Sequence, residues 1–384
     1  MGENIMKLMA SINKHYSRKV MRNANELAPK RWVRSKVPAY DWTTGGGFIV
    51  NKMIIHQGLE STCKTYFSWL AAREFQNYDW LNNVQDGLEV TGFKPKKLTY
   101  KNKDGTTETI TMQIPTFKST KGFKECRGKV VAVIDGEGTV DIAWAQHLGV
   151  DIDRLIIIVP TTGEEGINAG EALLRDPDIC LVIVDSAGSI RPASEMDKPM
   201  EEQNMAVTAR FWNRGTAKFQ LAMNANPEDD ATVLIINRLY DKVGLVFGNP
   251  ETQANGKGLR YGNSINSNFS AGKIMREEVT KKILGRNYTI ANHKNKAGKP
   301  HRTCDFFFVM EADEARGLRY GDIDVIGNAI ELGCQLGIID KTAGNYVFGR
   351  TKIKGRENFE DALREKPVLY QALLDRIYAD ATDL

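Results

Sequence analysis

The chain has 384 residues, of which 42% are hydrophobic and 26% are charged, with a formal net charge of +4. This length suits two or three structural units around a large α/β core, and the hydrophobic content excludes wholesale disorder. The longest apolar runs, such as residues 155–159 and 180–184, are far shorter than the roughly twenty residues of a membrane helix. Five scattered cysteines and an N-terminus without a signal-peptide core predict a cytoplasmic protein with no membrane partner.

The N-terminal segment has the pattern of an isolated amphipathic helix. Its apolar residues recur at helical spacing, at Ile5, Leu8, Met9, Ile12, Tyr16 and Val20. Pro38 and the TTGGG run separate this segment from the remainder of the chain. Such a helix needs its own core or a neighbouring copy to cover its apolar face, and we expect residues 1–38 to pack on a neighbouring protomer.

Short apolar runs alternate with helical segments through the middle of the chain. The runs are KMIIHQ at 52–57, KVVAVID at 129–135, LIIIV at 155–159, CLVIVD at 180–185 and TVLIIN at 232–237. Continuous β-branched runs are typical of strands buried on both faces, so the pattern predicts a mostly parallel, doubly wound α/β sheet over residues 39–322. Within it, residues 78–128 form an insertion with a hairpin at Asp104-Gly105, and residues 323–384 form a small, chiefly helical C-terminal unit.

The stretch GLESTCKT, residues 58–65, follows an apolar run and precedes the helical TYFSWLAAREF. Phosphate-binding loops have this context, with backbone N–H groups on the phosphates, a lysine on the β and γ phosphates and a threonine on Mg²⁺. Lys64 and Thr65 occupy the last two positions, whereas Cys63 stands in place of the second glycine. A chance match in a strand-to-helix turn is the alternative.

Polar residues close three of the predicted strands. Asp135 and Glu137 follow one strand, Asp185 follows a second, and Asn237 and Arg238 follow a third. Ligands of open parallel sheets bind at the carboxyl ends of the strands, where an aspartate can hold Mg²⁺ and a glutamate can polarise the attacking water. One such acid is often only a helix cap, but three strand ends in a chain with a phosphate loop predict an ATPase.

Four stretches together resemble the RecA-type homologous recombinases, including their bacteriophage members. They are VGLVFGNPETQANGKGLRYG at 243–262, IDGEGTVDIAWAQHLGVDID, LVIVDSAGSI and HKNKAGKP. The resemblance runs from about residue 34 to the C-terminus and is interrupted by the insertion. It implies a RecA-type P-loop ATPase core with an N-terminal helix and a small C-terminal α/β domain, in a bacterial cytosol and with a phage gene as one origin.

The resemblance also implies ATP and Mg²⁺ as cofactors and assigns residues to them. The loop residues implied to bind the triphosphate are Gly58, Glu60, Ser61, Thr62, Cys63, Lys64 and Thr65. Glu137 matches the catalytic glutamate, Asp185 matches the metal-side aspartate beside Thr65, and Asp141 and Trp144 match the pair near the base. Lys294 and Lys296 resemble lysines that reach across a subunit interface to the γ phosphate, and Arg260 and Tyr261 resemble other residues of that interface.

For DNA, the family uses two loops, here expected near residues 195–205 and 239–257. The residues implied to contact DNA are Met205, Arg210, Lys242, Val243, Phe247, Gly248 and Asn249. Among them Arg210 and Lys242 would meet phosphates, whereas Met205 and Phe247 would wedge between bases or pack on their own loops. The implied partners are single-stranded DNA, a homologous duplex, and further copies of the chain in a helical filament.

Two residues depart from the family pattern. Cys63 replaces a glycine, and Arg238 stands where the family commonly has a glutamine that senses the γ phosphate. We expect ATP binding more firmly than fast hydrolysis, and we expect the Cys63 thiol, at a helix N-terminus beside Lys64, to have a lowered pKa. The predicted function is an ATP-dependent recombinase; the alternatives are a hydrolysis-weak DNA-binding filament protein or recombinase regulator, and a RecA-fold motor, which the FGNPET loop disfavours.

Overall fold

A computed structural model of the protein describes residues 3–16, 20–21, 30–86, 88–101, 107–120, 125–196, 205–226, 230–241, 251–253, 259 and 262–382. The α-helices in these residues are α1 (Glu3–His15), α2 (Pro38–Thr44), α3 (Lys64–Gln76), α4 (Ile142–His147), α5 (Gly163–Leu174), α6 (Ala193–Met196), α7 (Met205–Ala225), α8 (Val325–Gln335), α9 (Arg356–Glu365) and α10 (Pro367–Thr382). Among the described residues, no helix combines the length and hydropathy that crossing a bilayer requires.

The strands form one large sheet and several small ones. They are β1 (Trp32–Val33), β2 (Phe48–Ile49), β3 (Met53–Gly58), β4 (Tyr78–Asp79), β5 (Val84–Gln85), β6 (Leu88–Lys101), β7 (Thr107–Ser119), β8 (Glu125–Arg127), β9 (Val130–Asp135), β10 (Leu155–Ile158), β11 (Ile179–Asp185), β12 (Thr232–Asp241), β13 (Glu251–Gln253), β14 (Ile265–Arg276), β15 (Ile283–Asn295), β16 (Thr303–Val309), β17 (Asp340–Thr342), β18 (Asn345–Phe348) and β19 (Thr351–Lys354).

The central sheet has the strand order β10-β9-β11-β12-β3-β14-β15-β16, with β13 paired to β12. Pairing is parallel from β10 to β14, and β15 and β16 are antiparallel. The five apolar runs form β3, β9, β10, β11 and β12, as the sequence predicts, and β3 and β9 are buried along their whole lengths. The expected doubly wound α/β fold is therefore confirmed.

Alternate residues of the strands feed two hydrophobic cores, one on each face of the sheet. Val131 and Val133 of β9 join the core that contains Phe67 of α3. Val130 and Ala132, which alternate with those two valines along the strand, join the other core, which lies under α5 and α7. Because a strand places successive side chains on opposite faces, a strand that is buried on both faces needs a continuous apolar run.

The C-terminal unit adds its side chains to the same core as the sheet. Phe359 of α9 and Leu373 of α10 are fully buried in the core that also holds α3. Arg302 donates hydrogen bonds to the carbonyl oxygens of Trp42 in α2 and Ala381 in α10. Pro38 occupies the start of α2, where a proline costs no helical hydrogen bond. The division into domains at residues 38 and 322 stays a prediction.

The insertion forms the antiparallel ribbon that its sequence predicts. Strands β6 and β7 pair from Leu88↔Ser119 to Lys101↔Thr107, and β8 adds a short third strand at the base. The Asp-Gly turn itself, within residues 102–106, lies outside the described residues. At the base, Phe117 packs so closely on Gly128 that a Cβ there would lie 2.1 Å from its ring.

Candidate active site

The phosphate-loop candidate connects β3 to α3 by a backbone with several left-handed residues. Gly58 has φ 154°, Ser61 has φ 56° and Cys63 has φ 65°. A Cβ at Gly58 would lie 2.2 Å from the carbonyl oxygen of Phe269 on the neighbouring β14, so only glycine fits there. Cys63 adopts the glycine-like conformation without being glycine, which is a strained arrangement for an L-residue.

Lys64 begins α3 and folds its side chain back over the loop. Its Nζ donates to the carbonyl oxygen of Leu59 and to Thr62 Oγ1 at 3.1 Å. Burial lowers the pKa of Lys64 to about 8; the positive charge of Arg238 acts in the same direction, whereas Asp185 opposes it. The ammonium is thus held at the centre of the loop in a setting that an added anion would stabilise.

Thr65 and Asp185 bring together two oxygens suited to a divalent cation. Thr65 Oγ1 donates to Asp185 Oδ2 at 3.0 Å across the loop–sheet junction. Burial raises the pKa of Asp185 to about 6, with smaller contributions from the Glu137 and Asp135 carboxylates. Mg²⁺ is commonly held by one or two protein oxygens together with substrate phosphates and water, so this pair fits it. No cage of three or more His, Cys, Asp or Glu side chains occurs among the described residues.

Glu137 has both carboxylate oxygens engaged. Its Oε1 accepts from the hydroxyls of Ser186 at 2.7 Å and Ser189 at 3.1 Å. Its Oε2 pairs with Arg238 Nη2 at 2.7 Å, and the other guanidinium nitrogen, Nη1, pairs with Glu60 of the loop at 2.9 Å. The register Arg238↔Gly58 between β12 and β3 places this arginine beside the start of the loop. Arg238 therefore bridges the phosphate loop and the candidate base.

Asp135, another strand-end acid, shapes the backbone of the glutamate's loop. Its carboxylate accepts from the backbone N–H groups of Glu137, Gly138 and Val140, at 3.1, 2.8 and 3.0 Å. The Asp135 side chain is buried, and its role is to hold the backbone of this loop. This is the helix-cap-like use of a strand-end acid that the sequence left open.

A cleft of about 440 Å³ opens between these groups. It is lined by Glu60, Ser61, Lys64, Thr65, Trp69, Glu137, Thr139, Val140, Asp141, Trp144, Asp185, Ser186, Ile236 and Arg238. The volume lies in the range of sites that hold small molecules and cofactors. Loop, metal-ligand pair, acid and arginine thus converge on one cavity at the carboxyl ends of β3, β9, β11 and β12.

Comparison with known proteins assigns the family. The RecA N-terminal domain model matches residues 107–313. The chain is similar to proteins called Protein RecA from Chlorobium chlorochromatii, with 31% identity over 248 residues, and from Paracoccus denitrificans, with 32% identity over 257 residues. The first alignment covers 64% of this chain and 66% of the relative, and the second covers 66% and 67%. The chain belongs to the RecA family.

The RecA domain match contains Glu137, Asp185 and Arg238, whereas the loop at 58–65 precedes it. The chain spans about two thirds of the length of these RecA relatives. A third relative, Protein RecA of Staphylococcus epidermidis, is 32% identical over 251 residues, which is 64% of this chain and 67% of that protein. All three named relatives come from bacteria, and a phage origin for this RecA-family chain stays a prediction.

The pair predicted to lie near the nucleotide base borders one side of the cleft. Asp141 caps α4 by accepting from the backbone N–H of Trp144 at 2.9 Å. The Trp144 ring stacks on His147 with a centroid distance of 5.1 Å and touches Tyr320 at 5.8 Å. Trp144 is half-buried, so it lines the cleft while one ring face packs on protein, and its stacking on a base stays a prediction of the RecA resemblance.

The prediction of a reactive Cys63 thiol is wrong. Burial raises the pKa of Cys63 to about 12, which outweighs a hydrogen bond with Tyr288 and the nearby charges of Lys64 and Arg286. The sequence predicts a thiol at an exposed helix N-terminus, but the thiol is half-buried beside Tyr288 and Arg286 of β15, which are more than two hundred positions away. The position fits a space-filling residue better than a nucleophile.

The two lysines that the RecA resemblance assigns to the γ phosphate lie far from this chain's own cleft. Lys294 is level with Asn266 on β14, which in turn is level with Ile55 of β3. Lys296 donates its backbone N–H to Ser264, whose N–H donates to Met53 at the start of β3. Along β3, Ile55 lies three residues and Met53 five residues before Gly58, so about 10 Å and about 16 Å separate these two levels from the start of the loop. The chain does not bring these lysines to its own Glu137.

Several predicted DNA and interface residues cannot be placed. Lys242, Val243, Phe247, Gly248, Asn249, Arg260 and Tyr261 lie outside the described residues, as does the side chain of Met205. Arg210 is exposed on α7. Residues 242–250 lie between β12 and β13 in the sequence. The strand residues that flank them, Asp241 and Glu251, are paired with each other, and Asp241 is three residues beyond Arg238.

Proposed function

We propose that the protein binds ATP with Mg²⁺ and hydrolyses the ATP in a DNA-dependent manner while it catalyses homologous pairing and strand exchange. The observation that carries the proposal is the single cleft in which Lys64, the Thr65–Asp185 pair and Glu137 converge. Membership of the RecA family supports the same reading. A cytoplasmic location is part of the proposal.

In this mechanism Thr65 Oγ1 and Asp185 Oδ2 would hold Mg²⁺, and the ion would neutralise phosphate charge. Lys64, with its ammonium already over the loop, donates to the β and γ phosphate oxygens. The gain in favourable charge partners then raises the pKa of Lys64 from about 8 and keeps the ammonium protonated. Trp144 offers a ring face for the adenine.

Glu137 orients and polarises the attacking water. To do so it must release Arg238, because its Oε2 is engaged by the guanidinium and its Oε1 by Ser186 and Ser189. The γ phosphate is a stronger anionic partner for a guanidinium than a single carboxylate, since it offers several oxygens to the planar fork. ATP binding therefore draws Arg238 away and frees one oxygen of the glutamate.

The complete site needs a second copy of the chain. Lys294 and Lys296 lie at the end of β15, two strands from β3 and level with Ile55 and Met53 instead of with the loop, a placement that supports their action on a neighbour's ATP. Helix α1 exposes Ile5 at 52%, Met6 at 56% and Leu8 at 57%, an apolar face that a neighbour would cover. The proposed assembly is a filament on single-stranded DNA that admits a homologous duplex.

Turnover of ATP with and without single-stranded DNA tests the proposal. We expect DNA to stimulate hydrolysis, and we expect Glu137→Gln to bind ATP with near-normal affinity yet lose at least about a hundredfold in turnover, since general-base catalysis contributes that much. Lys64→Ala should instead lose nucleotide affinity. Equal turnover by Glu137→Gln and the wild type would refute the assigned base.

A hydrolysis-weak DNA-binding filament protein is the second candidate, because Arg238 holds Glu137 in an ion pair that true turnover must break. Filaments on DNA with ATP but without DNA-stimulated hydrolysis would favour it. Directional unwinding of a duplex would favour a motor instead. Imaging with single-stranded DNA and a non-hydrolysable ATP analogue provides the filament readout for both comparisons.

A further inference from the structure

The ribbon of the insertion is one of the strongly basic segments of the chain. Residues 88–127 contain nine Lys and Arg and four Asp and Glu, a net charge of +5, while the whole chain has +4. Residues 14–36 are another basic segment, with eight Lys and Arg and one Glu, a net charge of +7. The ribbon is also absent from the apparatus described above, because none of its residues lines the cleft.

The ribbon is anchored along one face. Lys96 pairs with Asp176 at 3.0 Å and with Asp178 at 2.6 Å, at the start of β11. The Arg154 guanidinium lies 4.9 Å from the Phe117 ring centroid at the base of the ribbon. Thirteen paired residues per strand span about 40 Å, and the five pairs beyond Lys96↔Met112 extend past this anchor.

The opposite face has an unusual composition. Directly paired residues share a face, so Lys97↔Thr111, Thr99↔Thr109 and Lys101↔Thr107 lie on the side away from Lys96. The outer face is defined by these register positions: Phe93, Pro95, Lys97, Thr99, Lys101, Thr107, Thr109, Thr111, Gln113 and Pro115. By sequence these positions carry two lysines, four threonines, one glutamine, two prolines and one phenylalanine, and no carboxylate. Among the side chains that the structure describes, Lys97, Thr109, Thr111 and Gln113 are exposed.

We propose that the outer face of the ribbon binds the phosphate backbone of double-stranded DNA, as a second DNA site apart from the two loops. The major groove of a duplex, about 12 Å wide, admits a two-stranded β-ribbon, and Lys and Thr side chains are common donors to its phosphates. The inference rests on the proposed function, to which it assigns the surface that captures the duplex.

The composition argues against other partners. Protein interfaces favour Tyr, Trp, Met and Arg and are depleted in lysine, whereas the outer face has lysine and threonine. Single-stranded nucleic acid is bound chiefly by aromatic stacking, and the outer face carries one aromatic residue, Phe93, near its base. A regular array of cationic and hydroxyl groups suits regularly spaced phosphates.

The test compares binding of a blunt oligonucleotide duplex by full-length variants in the absence of ATP. Lys97→Gln with Lys101→Gln should weaken duplex binding about tenfold or more at moderate ionic strength, and should reduce the slope of log affinity against log salt by about 1.8, because each lost phosphate contact removes about 0.9. Lys352→Gln with Lys354→Gln is the matched control: these lysines are also two strand lysines, exposed on β19, and the affinity should not change.

A shortened ribbon gives a second, independent variant. Lys96 and Met112 face each other in the register, so Asn-Gly in place of residues 97–111 can close the hairpin while it keeps the Lys96 ion pairs. Unchanged duplex affinity in this variant would overturn the proposal, and so would an equal loss of affinity for oligo-dT. DNA-stimulated ATP hydrolysis by the same variant tests the proposed function separately, since the ribbon does not touch the cleft.

Discussion

At the scale of single residues, Arg238 connects two carboxylates that border the cleft. A glutamine at this place could exchange hydrogen bonds with water and phosphate alike, whereas an arginine can only donate. In this protein it donates to Glu60 and Glu137 at once. The sequence identifies Arg238 as a departure from the family pattern. Its ion-pair partners could not be predicted, because they come together only where the ends of three strands meet, and no local pattern specifies that meeting.

Replacement of Arg238 by glutamine should raise turnover of ATP in the absence of DNA. A partly exposed ion pair is worth about 1 kcal/mol, so its loss should raise the basal rate by about fivefold. The measurement is steady-state hydrolysis without DNA, with Glu60→Gln as the control that removes the other partner of Arg238 and leaves Glu137 paired. A fall in the basal rate of Arg238→Gln would show that the arginine acts chiefly on the transition state.

The Cys63 thiol should resist alkylation in the folded protein. With a pKa of about 12, about one thiol in ten thousand is ionised at pH 8, and only the thiolate reacts. Mass spectrometry after brief labelling should find Cys63 unmodified, with Cys334, which is also half-buried, as the internal comparison. The Cys63→Ala variant confirms which peptide carries the label. Labelling of Cys63 before Cys334 would contradict the raised pKa of Cys63.

At the scale of secondary structure elements, the sequence predicts best where one pattern suffices. Five buried strands and the Asp-Gly hairpin follow from apolar runs and turn residues. Strands β15 and β16 do not stand out as continuous apolar runs, because buried residues in them alternate with more exposed ones. Polar residues such as Thr289 and Asp305 pair on the exposed face. The three-stranded sheet β17–β19 is too short and too exposed to leave a clear period.

Helix α1 should be removable without loss of the core. Deletion of residues 1–21 takes away the exposed apolar face of α1 and should abolish filaments on DNA while the thermal midpoint of the monomer stays the same. Electron microscopy and circular dichroism provide the two readouts. Filaments of normal length in this deletion would disprove the assigned contact.

A longer deletion should behave differently and serves as the control. Removal of residues 1–33 also takes β1, which pairs with β2, and the ion pair between Arg31 and the buried Asp230. Val33 is fully buried, so its loss alone should cost about 1.5–3 kcal/mol of stability. Filament loss in this deletion would therefore not separate assembly from folding.

At the scale of the whole molecule, one buried carboxyl group connects the N-terminal and C-terminal parts of the fold. Asp41 of α2 accepts from Ser35 N and Oγ, both at 2.8 Å, and from the Tyr378 hydroxyl of α10 at 3.3 Å. Burial raises the pKa of Asp41 to about 6 in spite of these bonds. No sequence pattern predicts this contact, since its partners are more than three hundred residues apart.

The raised pKa of Asp41 makes folding stability depend on pH. Between about pH 4 and pH 6 the unfolded chain has this carboxyl ionised whereas the folded chain keeps its proton, so the free energy of unfolding falls as pH rises, by about 1.4 kcal/mol per unit. Asp41→Asn removes this contribution. The difference in unfolding free energy between wild type and variant, from urea titrations, should shift by about 3 kcal/mol across the window in favour of the wild type at low pH.

His56 acts in the opposite direction and must be separated from Asp41. Burial lowers the pKa of His56 to about 3, so its contribution to stability is lost as pH falls from about 6.5. The comparison of Asp41→Asn with the wild type cancels this contribution, because both proteins keep His56. A pH-independent difference between them would mean that Asp41 is already ionised in the folded core.

Because Lys294 and Lys296 are proposed to act on a neighbour's cleft, the number of complete sites in the proposed assembly depends on its length. A filament of n protomers has n − 1 interfaces, so the cleft of one terminal protomer lacks the lysines of a neighbour. The rate of ATP hydrolysis per protomer should then rise with protein concentration and reach a plateau as the filaments lengthen. A ligand that stops filament growth should reduce this rate more in short filaments than in long ones.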